Sequence, residues 1–155
     1  MSDFFSYQPQ PASTPTSLPA AEPAAILADL SSEEWEHFIT FTARRRHPAA
    51  AVLVRAGELD RALCFIASGQ LELRGPGSAL ALRGEGEVFG LLSFLDAAPS
   101  DVTVSVSALG PAELLRLTPD ALQQLSAWQP RIALALMRDL GALVAARLRQ
   151  VQPGD

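Results

Sequence analysis

Cysteine is all but missing from this 155-residue sequence, and lysine is missing altogether. The single thiol, Cys64, excludes an intramolecular disulfide and any cysteine-built zinc or iron–sulfur site. Histidine is nearly as scarce: His37 and His47 leave little for a metal cage or a set of catalytic bases. Positive charge is short as well. Twelve basic residues, all arginine, face 17 acidic ones, for a net charge of −5. A chain of that balance lacks the overall positive field of a stand-alone nucleic-acid binder. Long apolar runs are also absent, since no window approaches the ~20 residues of a membrane span. The richest stretch, Ile132 to Ala146, is shorter and carries Arg138 and Asp139 in its middle. The N-terminus has neither the basic nor the apolar region of a secretory signal. With a lone thiol and no export signal, a cytoplasmic protein without membrane insertion is expected. No nucleophile–base pairing, phosphate-cradling loop of the Walker type or GxGxxG motif occurs, so enzymatic activity is not expected.

What is present divides into an arm and one domain. Residues 1–23 hold five of the 12 prolines, at positions 9, 11, 15, 19 and 23, among Ala, Ser, Thr and Gln. Such a segment cannot bury enough apolar surface to offset its ordering entropy, and a disordered arm is predicted. Its tip places Phe4, Phe5 and Tyr7 close together, a candidate docking motif; the alternative is a plain solvated tail. From residue 24 to 152 the chain has 48% apolar composition overall to draw on and suits one domain.

Within that domain, Ser31 and Glu34 form a capping-box pattern that opens a helix with Trp35, Phe38 and Ile39 on one face. Short runs follow, at Val52–Val54, Ala62–Ala67, Gln70–Arg74, Ala79–Arg83, Val102–Ala108 and Glu113–Leu117, separated by Gly, Pro, Asp and Ser. Ser68-Gly69 and Gly75-Pro76-Gly77 mark turns between them. Evenly spaced short strands predict an antiparallel sandwich or barrel. Arg44-Arg45-Arg46-His47 reads as a solvated first strand whose charge protects a sheet edge, with phosphate-backbone contact as the alternative. Thr118 caps, and Pro119 begins, a first C-terminal helix; a second spans 130–150. This last helix is apolar almost all round, so one face can cover the β-domain and the rest needs a partner. Ala133, Met137, Leu140 and Val144 lie at 4-3-4 spacing and predict a homodimer seam. Cys64, between Leu63 and Phe65, reads as a buried inert thiol.

The stretch Val52 to Leu73, with Gly57-Glu58 after the first strand and an apolar strand ending in Ser68-Gly69, resembles the cyclic nucleotide-binding domain family. The likeness continues through Leu80–Leu82, Gly86 to Gly90, Val102–Val104 and Leu114–Leu117. It implies a mainly β fold with flanking helices: an eight-stranded antiparallel jelly roll, an N-terminal helix and two C-terminal ones, as in the effector domains of Crp/Fnr-type regulators. In that family a phosphate-binding cassette follows a Phe-Gly pair. A glutamate accepts from the ribose 2′-hydroxyl and an arginine pairs with the cyclic phosphate. Here the cassette runs from Phe89-Gly90-Leu91-Leu92 to Pro99-Ser100-Asp101-Val102-Thr103, in frame throughout. Leu91 stands at the glutamate position and Ser100 at the arginine position, with Asp101 adding negative charge beside it.

Losing a charge-assisted contact to the phosphate costs ~1.5–3 kcal/mol, and an unaccepted ribose hydroxyl a further ~1–3 kcal/mol. Together these weaken a nucleotide by several orders of magnitude. No cofactor is therefore implied, and ordinary cyclic AMP or GMP binding is not expected unless a remote arginine, Arg61 or Arg83, substitutes. The cassette reads as retained scaffold, with Leu91, Leu92, Phe94 and Leu95 packing its short helix onto the roll. Jelly-roll metalloenzymes are set aside because no His-x-His occurs. Crp/Fnr-type regulators continue into a helix-turn-helix reader after the long helix, whereas this sequence reaches Asp155 directly, so direct DNA binding is not expected. The expectation is a homodimeric regulatory or adaptor protein acting on an unidentified protein partner. The alternatives are a sensor of a cyclic mono- or dinucleotide through other contacts, and an assembly component tethered by its arm.

Overall fold

The computed structural model describes residues 26–150. The arm, with Phe4, Phe5 and Tyr7, lies outside the described residues. Helix α1 (Ser32–Ile39) opens on the expected capping box: the Glu34 N–H donates to Ser31 Oγ at 3.1 Å, and the Ser31 N–H donates to Glu34 Oε1 at 3.0 Å. Eight strands follow: β1 (Ala43–His47), β2 (Val52–Val54), β3 (Leu63–Ser68), β4 (Leu71–Arg74), β5 (Leu80–Arg83), β6 (Val88–Phe89), β7 (Thr103–Val106) and β8 (Ala112–Leu117). A short helix α2 (Leu91–Asp96) sits between β6 and β7, and α3 (Pro119–Trp128) and α4 (Pro130–Gln150) close the order.

The strands form two four-stranded sheets, ordered β1-β8-β3-β6 and β2-β7-β4-β5, with antiparallel pairing throughout. This is the expected jelly-roll sandwich. The turn from β3 to β4 depends on Gly69, which has φ +90°; a Cβ there would lie 2.6 Å from the Pro111 carbonyl oxygen. Arg44, Arg45 and Arg46 are exposed on the edge strand β1, and Arg44 pairs with Glu113 on β8 at 2.9 Å. The basic run is thus a solvated, partly neutralised edge.

Period-2 alternation on β3 and β8 feeds two separate cores. Cys64, Ile66, Ala112 and Leu114 point between the sheets, where they meet Val54, Leu71, Phe89, Val104 and Val106. Leu63, Phe65, Leu115 and Leu117 point the other way and are covered by helices. Phe38 of α1 meets Phe65 edge-on, with ring centroids 5.2 Å apart. Thr118 caps α3 by accepting from the Ala121 N–H at 3.1 Å, as the Thr-Pro start implies.

The orientation of α4 corrects one expectation. Its inner face is Ile132, Ala133, Leu136, Leu140 and Leu143, all buried in the helix-side core. Ala133 and Leu140 therefore face the chain's own β-domain and are not available as an outer seam. The reason is that β3 and β8 present a broad apolar surface needing a full helix face to cover it. Met137 is 40% exposed and forms the outward stripe with Leu134 (55%), Gly141 and Leu148 (52%); Val144, half-buried, packs against the helix-side core and borders that stripe. Asp139, which interrupts the apolar run, accepts from the backbone N–H of Leu27 at 2.7 Å. That contact ties α4 to the segment before α1, where Leu27 itself is buried at φ +64°.

Leu140→Ala is expected to cost ~2–5 kcal/mol in urea denaturation, the range for a fully buried leucine. The loss should be the same at low and high protein concentration, because the side chain belongs to the intrachain core. A loss seen only at low concentration would return Leu140 to an intersubunit contact.

Candidate functional site

One end of the sandwich is hollow. A cavity of about 510 Å³ lies between the sheets, bounded by Val54 of β2, Leu73 of β4, Ala81 and Arg83 of β5, Phe89 of β6, and the segments Gly90–Ser93 and Pro99–Val102. The last turn of α4 contributes Arg147 and Gln150 to its wall. This volume falls in the range of small-molecule sites, ~300–1,000 Å³.

Phe89, Gly90, Leu91, Leu92, Ser100 and Asp101 all line the cavity, so the cassette residues singled out in the sequence come together there, Thr103 excepted. The Thr103 hydroxyl accepts from the Ala56 N–H at 3.0 Å and serves the β2 end instead. Gly90 starts α2 with φ +90°, and a Cβ on it would lie 2.6 Å from the Ala62 carbonyl oxygen. That close approach presses the cassette onto β3. Leu91 and Phe94 are buried against the helix-side core. Leu92 (55% exposed) and Leu95 (38%) are not, so only half of the expected apolar set anchors α2. A six-residue helix has one face to bury, and Leu91 and Phe94, three apart, occupy it.

The arginine position is firmly tied into the backbone. The Ser100 hydroxyl donates to the Val102 carbonyl at 2.6 Å and accepts from the Val102 N–H at 3.3 Å. Its own N–H donates to the Glu58 carbonyl at 2.8 Å, and its carbonyl accepts from Gly57 at 2.7 Å. The Gly57-Glu58 turn, noted as a motif, is thus the clasp that holds the end of the cassette. At the other end, Ser93 Oγ donates to the Ala98 carbonyl at 2.6 Å. Arg61 donates from Nε to the Ser93 carbonyl at 3.1 Å and from Nη2 to the Phe94 carbonyl at 2.7 Å.

Of the two arginines considered as substitutes, Arg61 is therefore committed to carbonyls of α2 and is absent from the cavity wall, whereas Arg83 lines it. Arg147 was not foreseen. Arginines near a helix C-terminus are expected from the helix dipole alone, so its position carried no distinguishing signal. Charged groups on the wall are Asp60, Asp101, Arg83 and Arg147, and Asp60 is ion-paired with Arg116 of β8.

Cys64 pairs in register with Arg116 on β8 and is 3% exposed. Burial pushes its thiol up to about 12; the Arg116 guanidinium pulls it down and the Asp60 carboxylate pushes it up, both less strongly. Among the described residues no group of three His, Cys, Asp or Glu side chains is placed to hold a metal, and no helix is long and apolar enough to cross a membrane.

A jelly-roll sandwich with a short helix entered through Phe-Gly at its open end defines a cyclic nucleotide-binding fold. Residues 44–127 match the model of the cyclic nucleotide-binding domain, and the chain belongs to that family. It is 33% identical over 126 residues to the cyclic AMP receptor protein of Thermus thermophilus, covering 78% of this chain and 56% of that protein. The solved structure of the Thermus thermophilus catabolite activator protein superposes with a TM-score of 0.70 at 29% identity, over 81% of this chain and 59% of that one. A stretch of glutaminase 2 from Bradyrhizobium diazoefficiens is 30% identical, over 80% of this chain but 20% of that protein. The chain thus spans little more than half of the receptor and a fifth of the glutaminase.

Because the folded state holds the Cys64 proton more tightly than the unfolded chain, its contribution to stability is complete below pH 9 and declines as pH rises toward 12. At pH 8 the native protein should therefore react with a thiol-specific disulfide reagent only at the rate of unfolding, and stoichiometrically in denaturant. Immediate native-state labelling would show that the thiol is accessible as thiolate.

Proposed function

We propose that this chain is a non-enzymatic regulatory domain whose cassette no longer reads ordinary cyclic AMP or cyclic GMP, and which works in the cytoplasm through protein contacts as a homodimer. The observation that carries this reading is the chemistry at two positions of an otherwise complete cassette. Leu91 offers a buried apolar side chain where a ribose hydroxyl needs an acceptor, and the Ser100 hydroxyl is occupied by the backbone of Val102. The glutaminase likeness, confined to a fifth of that protein, supports a shared regulatory module and not a shared reaction. An acidic chain whose basic run sits on a strand edge supports partners other than DNA.

Dimerisation is assigned to the outward stripe of α4. Leu134, Met137, Gly141, Val144 and Leu148 follow a 3-4-3-4 spacing, the spacing of a coiled-coil seam. Gly141, where a Cβ would meet nothing, leaves room for a second helix to approach closely. Met137 and Val144 are kept from the sequence-based seam, and the register moves by one residue at the other positions.

The open cavity favours a second reading, a sensor whose ligand is held by contacts other than the family's pair. A collapsed pocket would have argued against any ligand, and a space of about 510 Å³ does not.

Isothermal titration should give no cyclic AMP or cyclic GMP binding in the micromolar range. Leu91→Glu with Ser100→Arg should gain about a hundredfold or more, since each contact is worth roughly tenfold at least. Micromolar binding by the wild-type chain would overturn the cassette reading. For the dimer, sedimentation equilibrium at tens of micromolar should return twice the chain mass, and Leu134→Glu with Met137→Glu should return one. A monomeric wild-type chain would overturn the seam.

A further inference from the structure

The densest aromatic cluster in the sequence, Phe4, Phe5 and Tyr7, precedes the domain and holds the chain's sole tyrosine. Each such ring has ~150–250 Å² of surface to bury. The cavity at the end of the sandwich is lined with hydrocarbon of the matching kind: Val54, Leu73, Ala81, Val88, Leu91 and Val104. Its frame is held by bonds within the protein, Ser100 to Val102 and Arg61 to the α2 carbonyls, and these keep it from closing on itself. An apolar wall with no atoms against it forfeits dispersion contacts, so an apolar occupant is favoured. Phe4 and Phe5 make no polar demand, and so miss neither the acceptor lost at Leu91 nor the cation lost at Ser100. The Tyr7 hydroxyl suits the mouth of the cavity, where it reaches water.

The arm joins the domain close to this space. The Leu27 N–H is tied to Asp139 at 2.7 Å. Arg147, on the cavity wall, stands eight residues further along α4, roughly 12 Å at the helical rise. Residues 8–25 separate Tyr7 from Ile26, and a tether of that length has a root-mean-square span of roughly 20–25 Å. A tether that spans its gap holds its end at an effective concentration of about millimolar, so a tip of modest intrinsic affinity suffices. We propose that the aromatic tip of the arm, Phe4, Phe5 and Tyr7, folds back on its own chain and occupies the cavity as a built-in ligand. The proposal rests on the reading that the cassette has given up ordinary cyclic nucleotides.

Because Tyr7 is the only tyrosine, 3-fluorotyrosine incorporated into the full chain gives one fluorine resonance that reports on the tip. That resonance should be displaced from its position in a free peptide of residues 1–12 and shielded from a soluble paramagnetic agent. Phe4→Ala with Phe5→Ala, changes confined to the arm, should return it to the free-peptide position. Cys64 is buried, so an introduced surface thiol takes a nitroxide selectively. A nitroxide on Leu95→Cys, beside the cavity on α2, should broaden the Tyr7 resonance more strongly than one on Leu134→Cys, on the outward stripe of α4. A free-peptide resonance in the otherwise wild-type chain, or broadening from Leu134 as strong as from Leu95, overturns the proposal. So does broadening of fluorinated chains by admixed nitroxide-bearing ones, which would make the occupant a second copy's tip. Titration of the same sample with cyclic AMP separates the two readings. Micromolar binding defeats the cassette reading, and the nitroxide comparison still decides this one. No binding, together with a free-peptide resonance, leaves the cassette reading standing without it.

Discussion

The structure depends on two strands that are buried on both faces. β3 and β8 lie side by side in the first sheet, and between them every residue of Leu63–Ile66 and four of the six of β8 are buried. A strand covered on one side alone needs one apolar residue in two. These two need nearly continuous apolar sequence, and they set one core against the facing sheet and another against the helices. The second sheet, covered on one side, alternates between buried and exposed residues as β3 does not: Leu80 and Leu82 are exposed while Ala81 is buried. Each helix then takes its position from the outer surface of β3 and β8. Because that surface is large, α1, α3 and α4 are all drawn to it, and the hollow end of the sandwich is left to α2 and the last turn of α4.

Helix α4 consequently divides its circumference among three tasks. The Ile132–Leu136–Leu140–Leu143 face is core, the Leu134–Met137–Leu148 stripe faces outward, and Arg147 and Gln150 reach the cavity. A rigid helix cannot shift one face without the others. Any ligand that draws on Arg147 thus acts on the same element that carries the outward stripe. Asp139 ties the helix at its middle to the backbone of Leu27.

Features with local causes were legible in the sequence, and features set by the choice of face were not. The Ser31 capping box, the Gly69 turn and the Thr118 cap each follow from neighbouring residues, and each stands where expected, whereas the cassette was legible through the family resemblance. The inner face of α4 was not legible because a helix apolar all round has no polar face to reveal its orientation. Only the partner strands decide that Ala133 and Leu140 turn inward. Arg61 and Arg83 could not be told apart for the same reason. Parity along β5 sends Arg83 inward beside Ala81, while Arg61 precedes β3 and turns to the α2 carbonyls.

The persistence of the cavity has a physical explanation in how the cassette is held. Its bonds run to the protein itself: Ser100 to Gly57, Glu58 and Val102, Ser93 to Ala98, Arg61 to Ser93 and Phe94, and Gly90 pressed against Ala62. None of these contacts requires a nucleotide. A site whose frame is self-supporting can lose the side chains that read one ligand without losing its shape. Closing the hole would require larger side chains from both sheets, and Ala62, Ala79 and Ala81 on its wall are small. The space so held open is bounded by an arginine on β5, another on α4 and hydrocarbon between them.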